Sequence, residues 1–423
     1  MMNKYNKFVQ VGETDEKTIE QMELLCEDGR IAQGALMGDS HVGYTCPIGG
    51  VVALRNWVSP AITGYDIACG NCAIKTDMTI DDLNKKDISK IADDIAKNIS
   101  FGVGLVNKTD KELMNHKLFD DHRWSELPSA APVDDLKKLA REQLGTVGAG
   151  NHYVDVFKDE DGIIWVGVHF GSRGFGHKVC TGFISIASGA KWSGKVVTSE
   201  SNPGALMHMS TWGGQAYWNM MELCGDYAYA GREWVTREVV KIIGAHEVEM
   251  VHNNHNFAWK EKQWMDDTKQ VEDVIVIRKG ATPAFPGQKG FVGGSMGDIS
   301  VILEGAEMVP VDGAFDEYDA AAPAAQMLFS TVHGAGRVMG RMQAKGKRHK
   351  KTGEWKRDPE VTQDMMDEWV KKVGIELRGG DVDESPHVYK RLPEVLKAQG
   401  DTIKVLHTLT PLIVCMAPKS NRR

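Results

Sequence analysis

Glycine recurs along this chain in short clusters, and the clusters coincide with histidines, cysteines and arginines. Of 423 residues 45 are glycine, about a tenth, where ~7% is usual. Glycine takes left-handed backbone angles at no steric cost and lets backbone amides approach a ligand closely. Several ligand-cradling loops on one frame are the expected result, and an enzyme fits that pattern. No internal repeat and no low-complexity segment competes with this reading.

The frame itself is legible in places. Ile88, Ile91, Ala92, Ile95 and Ile99 have helical spacing, with Asp87 as the N-cap. A second helix is expected over 133–144, ending at Gly145, and a long one between about 214 and 244. Strand-like runs occupy 153–157, 163–169, 274–279 and 411–416. Helices and strands alternate irregularly, which predicts a mixed α/β (α+β) fold. No Pro/Gly/Ser linker marks a boundary, so one catalytic domain over 1–423 is expected.

Charge and cysteine usage narrow the function classes. The net charge of −8 argues against a polycation that coats nucleic acid through overall charge. A local basic run remains: Arg341, Lys345, Lys347, Arg348, His349, Lys350, Lys351, Lys356 and Arg357. A solvated face is the plainer reading of such a run, and a phosphate-binding surface the functional one. Seven dispersed cysteines without a secretory leader read as reduced thiols. No stretch approaches the ~18 apolar residues of a membrane span. A cytoplasmic protein is expected.

Three clusters carry metal-ligand chemistry. Asp66 and Cys69 are close enough to reach one ion from a tight turn, and a carboxylate and a thiolate are ordinary ligands. Cys69 and Cys72 also form a Cys-x-x-Cys pair, open to a redox or a purely structural reading. His152 and His169 flank a hairpin with a turn at Asp159-Glu160-Asp161-Gly162. A loop centred between Glu160 and Asp161 sets His152 directly opposite His169, on one face of the sheet. His252 and His255, followed by Glu261, share a face if that segment is helical. They lack the His-Glu-x-x-His pattern of zinc proteases. Glycine-rich loops at 171–174, 294–297 and 333–336 supply amides, hydroxyls and arginines suited to phosphates. None is a Walker A loop. His333, between glycines and arginines, is a candidate nucleophile toward phosphorus.

Together these motifs resemble the RtcB family of RNA-splicing ligases. The resemblance runs in order along nearly the whole chain: Met37-Gly38-Asp39-Ser40-His41-Val42-Gly43, Asp66-Ile67-Ala68-Cys69-Gly70, Gly145 to His152, and Val168-His169-Phe170-Gly171-Ser172-Arg173-Gly174. It continues through His255-Asn256-Phe257-Ala258, Arg278-Lys279-Gly280-Ala281, Gly294-Ser295-Met296-Gly297 and His333-Gly334-Ala335-Gly336-Arg337.

The resemblance implies a fold particular to that family and a GTP- and manganese-dependent ligase. Such an enzyme joins RNA with a 3′-phosphate or 2′,3′-cyclic phosphate to RNA with a 5′-hydroxyl, in tRNA splicing or RNA repair. It implies two Mn²⁺ per chain, bridged by Cys69. His169 and His255 complete one site, and Asp66 and His152 the other. His333 becomes guanylylated. The guanylate pocket is expected to include Asn151, His152, Asp155, His255, Asn256, Gly293, Gly294, Ser295, Met296, Ser300, His333, Gly334, Ala335 and Gly336. Tyr389 is expected to stack on guanine and Lys419 to contact it, with Arg173, Arg337 and Arg341 on RNA phosphates. A monomer is expected, and a helper such as archease is left open.

The chain departs from the family in five places. Asp155 stands where glutamate is usual, and Gly38 and Gly293 where proline is usual. The stretch 305–331 is longer than typical, and the tail Ala417-Pro418-Lys419 looks extended. Manganese comes from the resemblance alone, since cysteine and histidine ligands suit zinc, iron or cobalt at least as well. Two other functions compete: a dinuclear metal phosphohydrolase, and a non-catalytic RNA-binding protein derived from a ligase. The motif 333–337 weighs against the first, since a hydrolase needs no nucleotidylated histidine, and the intact ligand positions weigh against the second.

Overall fold

The computed structural model describes residues 2–107, 110, 112–192, 204–307, 322–349, 352 and 354–419. Lys350, Lys351 and the middle of the 305–331 stretch lie outside the described residues.

The main strands are β1 (Met2–Lys4), β2 (Phe8–Val11), β3 (Ile31–His41), β4 (Ile48–Leu54), β5 (Gly70–Thr79), β6 (Tyr153–Lys158) and β7 (Ile163–Phe170). They continue with β8 (Glu247–Asn254), β9 (Asn256–Met265), β10 (Gln270–Lys279), β11 (Lys289–Val292), β12 (Ser300–Gly305), β13 (Glu376–Gly380) and β14 (Ile403–Pro418). One six-stranded sheet has the order β1-β2-β3-β4-β10-β9. The other has the order β8-β5-β7-β6-β14-β12-β11, with β13 added parallel to β14. The mixed α/β expectation holds.

The four principal helices are α1 (Ile88–Asn98), α2 (Val133–Gln143), α3 (Arg173–Ala187) and α4 (Trp212–Ile243). Asp87 caps α1 as its spacing predicts, accepting from the Lys90 amide. Gly244 ends α4 in the left-handed conformation that glycine takes without penalty. Ile91, Ala92 and Ile95 of α1 join Val235, Val239 and Ile243 of α4 in a core against β5–β7. A larger core lies between α3, α4 and the six-stranded sheet, with Phe175, Tyr217 and Ile277 fully buried. Among the described residues no helix is long and apolar enough to cross a membrane.

Two local expectations need correction. In the β6–β7 hairpin Tyr153, not His152, stands opposite His169. The loop is centred on Asp161 rather than between Glu160 and Asp161. Asp159 Oδ1 accepts from the amides of Asp161 and Ile163 at 3.1 and 2.8 Å, and Gly162 has φ +79°. The side chain of Asp159 thus fixes an odd-numbered loop, which slips the register by one residue. Second, His252 lies in strand β8, not in a helix. Residues three apart on an extended chain do not share a face. His252 accordingly turns to Arg232 and Tyr229, and Glu261 pairs with the buried Arg278.

Candidate active site

The two sheets meet where the chain passes from one to the other. Strand β8 of the eight-stranded sheet ends at Asn254, strand β9 of the six-stranded sheet begins at Asn256, and His255 is the single residue between them. The turn 66–69 docks against this crossing. The Cys69 amide donates to Asp66 O at 3.0 Å, closing the turn, and Ala68 takes φ +58°. Cys69 O accepts from the amides of His255 and Asn256 at 2.8 and 3.3 Å, and Asn256 O accepts from the Ala68 amide at 2.7 Å. These bonds hold a positive φ that alanine rarely adopts.

The result is two groups of ligand atoms with one member in common: Cys69, His169 and His255, and Asp66, Cys69 and His152. Cys69 Sγ lies 3.6 Å from His169 Nε2 and 3.7 Å from His152 Nε2. His152 Nε2 lies 3.1 Å from Asp66 Oδ2. Ligands bound to one ion at about 2.0–2.3 Å stand about 3–4 Å apart, so both groups fit a cation. His152 and His169 converge despite the register slip, with ring centroids 5.5 Å apart, because His152 lies just before β6 and is free of its alternation.

A surrounding layer aims these ligands. Asn71 Oδ1 accepts from His169 Nδ1 at 2.6 Å and Val147 O accepts from His152 Nδ1 at 2.8 Å. Each bond fixes the orientation of its ring and directs Nε2 toward the thiol. Arg232, fully buried within α4, reaches the residue beside each candidate ligand of one group. Its guanidinium donates to Ala68 O at 2.8 Å, next to Cys69, and to Phe170 O at 2.7 Å, next to His169. It also donates to Asn254 Oδ1 at 2.6 Å, next to His255. Nothing in the sequence distinguishes this arginine from others on the helix.

The electrostatics suit a cation. Burial pushes the Cys69 thiol well above its usual value, and the Asp66 charge adds to this. Burial keeps the imidazoles of His169 and His255 neutral, the ligating form. Burial alone would raise Asp66, but the hydrogen bond and charge of His152 hold it to about 2. A bound cation would supply the countercharge that a thiolate needs here.

His333 stands beside this centre, its ring centroid 4.9 Å from that of His255. It follows a short strand, Ser330–Val332, paired with Ala281–Pro283. Asp39 Oδ2 accepts from His333 Nδ1 at 2.7 Å. His333 and the five candidate ligands line one cavity of about 230 Å³. Asn151, Asp155, Asn256, Gly293, Gly294, Ser295, Met296, Gly334, Ala335, Gly336, Arg337, Arg341 and Tyr389 share its wall.

Three other expected residues, Ser300, Arg173 and Lys419, stand outside the wall. Ser300 lies behind it and receives the Gly294 amide at 3.0 Å. Arg173 packs on Gly148 with Nη1 3.1 Å from His152 Nδ1. Lys419 is exposed, 4.0 Å from Asp381. Arg337 bonds Glu384 and Tyr389, and its guanidinium lies over the Tyr389 ring. Arg341 pairs with Asp383 and Glu384. The Cys69–Cys72 pair does not act as one unit, since Cys72 faces the α1–α4 core as a free thiol.

The sequence reading missed Asp39, Asn71, Tyr153, Arg232, Lys279 and Glu384 as site residues. Asp39 and Lys279 lie inside recognised motifs, so their position was a usable signal. The others become visible only through tertiary packing.

The family described as tRNA-splicing ligase RtcB matches residues 22–417. The tRNA-splicing ligase RtcB of Archaeoglobus fulgidus is 29% identical, covering 88% of this chain and 83% of its own. The RNA-splicing ligase RtcB of Escherichia coli K12 is 28% identical, covering 90% and 89%. An Entamoeba histolytica protein, RNA-splicing ligase RtcB homolog 1, is 28% identical, covering 91% and 80%. A match of this extent, on a chain whose histidines and Cys69 converge as two ligand groups, settles its kinship: the chain belongs to the RtcB family of tRNA-splicing ligases.

Proposed function

We propose that this chain is a GTP-dependent RNA ligase. It joins a 3′-phosphate or 2′,3′-cyclic phosphate end to a 5′-hydroxyl end through a guanylylated His333. The observation that carries the reading is the meeting of two ligand groups, sharing Cys69, with an oriented histidine in one cavity. Bound at these groups, a pair of divalent cations, Mn²⁺ by the family resemblance, would neutralise phosphate charge and orient in-line attack.

The residues divide the work. Asp39 accepts the Nδ1 proton of His333 and so leaves the Nε2 lone pair as nucleophile. Nε2 attacks the α-phosphorus of GTP; a P–N bond forms as the P–O bond to pyrophosphate breaks. A 2′,3′-cyclic end is first opened by water, which breaks the P–O2′ bond; an oxygen of the RNA 3′-phosphate then attacks the guanylate phosphorus and the P–N bond to His333 breaks. The 5′-hydroxyl oxygen attacks the activated phosphate, its proton leaves, and GMP departs. Asn151, Asp155, Ser295 and the 333–336 loop cradle the nucleotide, with Tyr389 against the base. Arg337 and Arg341 exchange their carboxylate partners for RNA phosphates. Arg173 supports His152, Ser300 supports the 293–297 loop, and Lys419 reaches the base from the rim. The chain acts as one catalytic domain, a cytoplasmic monomer on cleaved RNA.

The test is incubation with α-labelled GTP and Mn²⁺. An acid-labile, base-stable protein–GMP adduct is expected, absent in His333→Ala. No adduct across a metal series would sink the mechanism.

A further inference from the structure

Four buried polar atoms on the cavity wall have no hydrogen-bond partner among the described residues: Tyr153 Oη, Asp155 Oδ1, Ser295 Oγ and His255 Nδ1. The ligase reading gives His255, Asp155 and Ser295 a task. It gives Tyr153 none. Tyr153 is 8% exposed and its ring stacks on His169, centroids 5.5 Å apart and planes at 13°. Stacking needs only a ring, which phenylalanine would supply. The hydroxyl is therefore unexplained, and a buried hydroxyl without a partner costs as much as a missing hydrogen bond.

Gly293 shows that the hydroxyl is accommodated by its surroundings. A Cβ at 293 would overlap Tyr153 Oη, so the phenol tip occupies the space a side chain there would fill. Gly293 opens the loop that carries Ser295, and both residues face the cavity. Tyr153 also lies two residues before Asp155 on β6, so both side chains emerge on one face of the strand. The ring rests on a ligand of the candidate metal centre, the end of the cavity where phosphates would gather. A hydroxyl is a suitable donor to a phosphate oxygen.

We infer that Tyr153 Oη donates a hydrogen bond to a phosphate of the bound guanosine triphosphate, and that Gly293 is the position that admits it. The inference rests on the ligase reading.

Calorimetric titration of GTP with Mn²⁺ present, in a His333→Ala background where no adduct forms, tests it. Adding Tyr153→Phe keeps the ring and its stack. The Kd for GTP should rise about three- to tenfold, the range expected for removing one hydrogen bond, with bound Mn²⁺ unchanged. Gly293→Ala should raise Kd further. It should cost less when combined with Tyr153→Phe, because Oη, 1.9 Å from the new Cβ, is gone and the nearest ring carbons lie at 2.9 and 3.4 Å. An unchanged Kd in Tyr153→Phe overturns the inference. So does a defect confined to sealing RNA that already carries a 3′-guanylate, which would assign the hydroxyl to the RNA phosphate. If His333→Ala protein with Tyr153 intact binds no GTP, the ligase reading itself fails.

Discussion

Oδ2 of Asp39 lies 2.7 Å from Nδ1 of His333 and also accepts from the amides of His333 and Gly334, at 3.1 and 3.3 Å. The same oxygen therefore fixes the backbone of the loop and the tautomer of the ring. Asp39 is fully buried, so no water competes for the bond. Asp39→Asn should slow formation of the GMP adduct by about 10²–10⁴, as when a histidine is held in the wrong tautomer. GTP affinity should change little. Single-turnover kinetics with labelled GTP separate the two, and an equal loss of affinity would show that Asp39 shapes the pocket instead.

Cys69 is the only residue common to both ligand groups. Cys69→Ala should therefore remove both bound Mn²⁺, whereas His152→Ala and His255→Ala should each remove one. Elemental analysis after gel filtration reads the stoichiometry directly. Two equivalents remaining in Cys69→Ala would contradict a bridging thiolate.

Arg232 braces the backbone beside Cys69 and His169 and the Asn254 side chain beside His255, all around one ligand group. Arg232→Lys should weaken the Cys69–His169–His255 site by about 10–100-fold, the usual cost of losing an outer partner. The second site should lose less. A uniform fall in affinity at both sites, tracking a fall in Tm, would leave Arg232 a purely structural residue.

Asp155 gives a pH signature. Burial raises its carboxyl well above the usual range. A raised folded pKa favours the protonated form, so this contribution to stability is full below the unfolded value of about 3.9 and is lost as pH rises toward the folded value. Asp155→Asn removes the penalty of ionising a buried acid. The metal-free variant should gain Tm relative to wild type on going from pH 5 to pH 8, by about 2 °C or more. A constant difference between the two proteins across that range would refute the assignment.

The basic run makes a salt-dependence prediction. Lys347 and Arg348 lie on an exposed two-residue strand. Neutralising them with Lys350 and Lys351 should weaken single-stranded RNA binding and reduce the slope of log K against log salt by about 0.7 for each RNA phosphate that is no longer neutralised. An unchanged slope would return the run to a solvated face. GMP-adduct formation, which needs no RNA, should be unaffected in either case.

Much of this protein is written in local sequence. Asp87 before an amphipathic repeat and Gly244 after a long apolar stripe determine helix ends through bonds within a few residues. The five candidate metal ligands and His333 were legible because each sits in a compact motif whose residue types suit one chemistry. What the sequence could not decide was every relationship carried across the fold. The β6–β7 register turned on the side chain of Asp159, which caps its own loop and moves His169 opposite Tyr153. The orientation of His333 depends on Asp39, which is 294 residues away along the chain. The bracing of one ligand group depends on Arg232, indistinguishable by spacing from any other helical arginine. Local propensity and motif chemistry act over a few residues, so the sequence determined which groups are present. Only the packing of two sheets at the His255 crossing decided which of them meet.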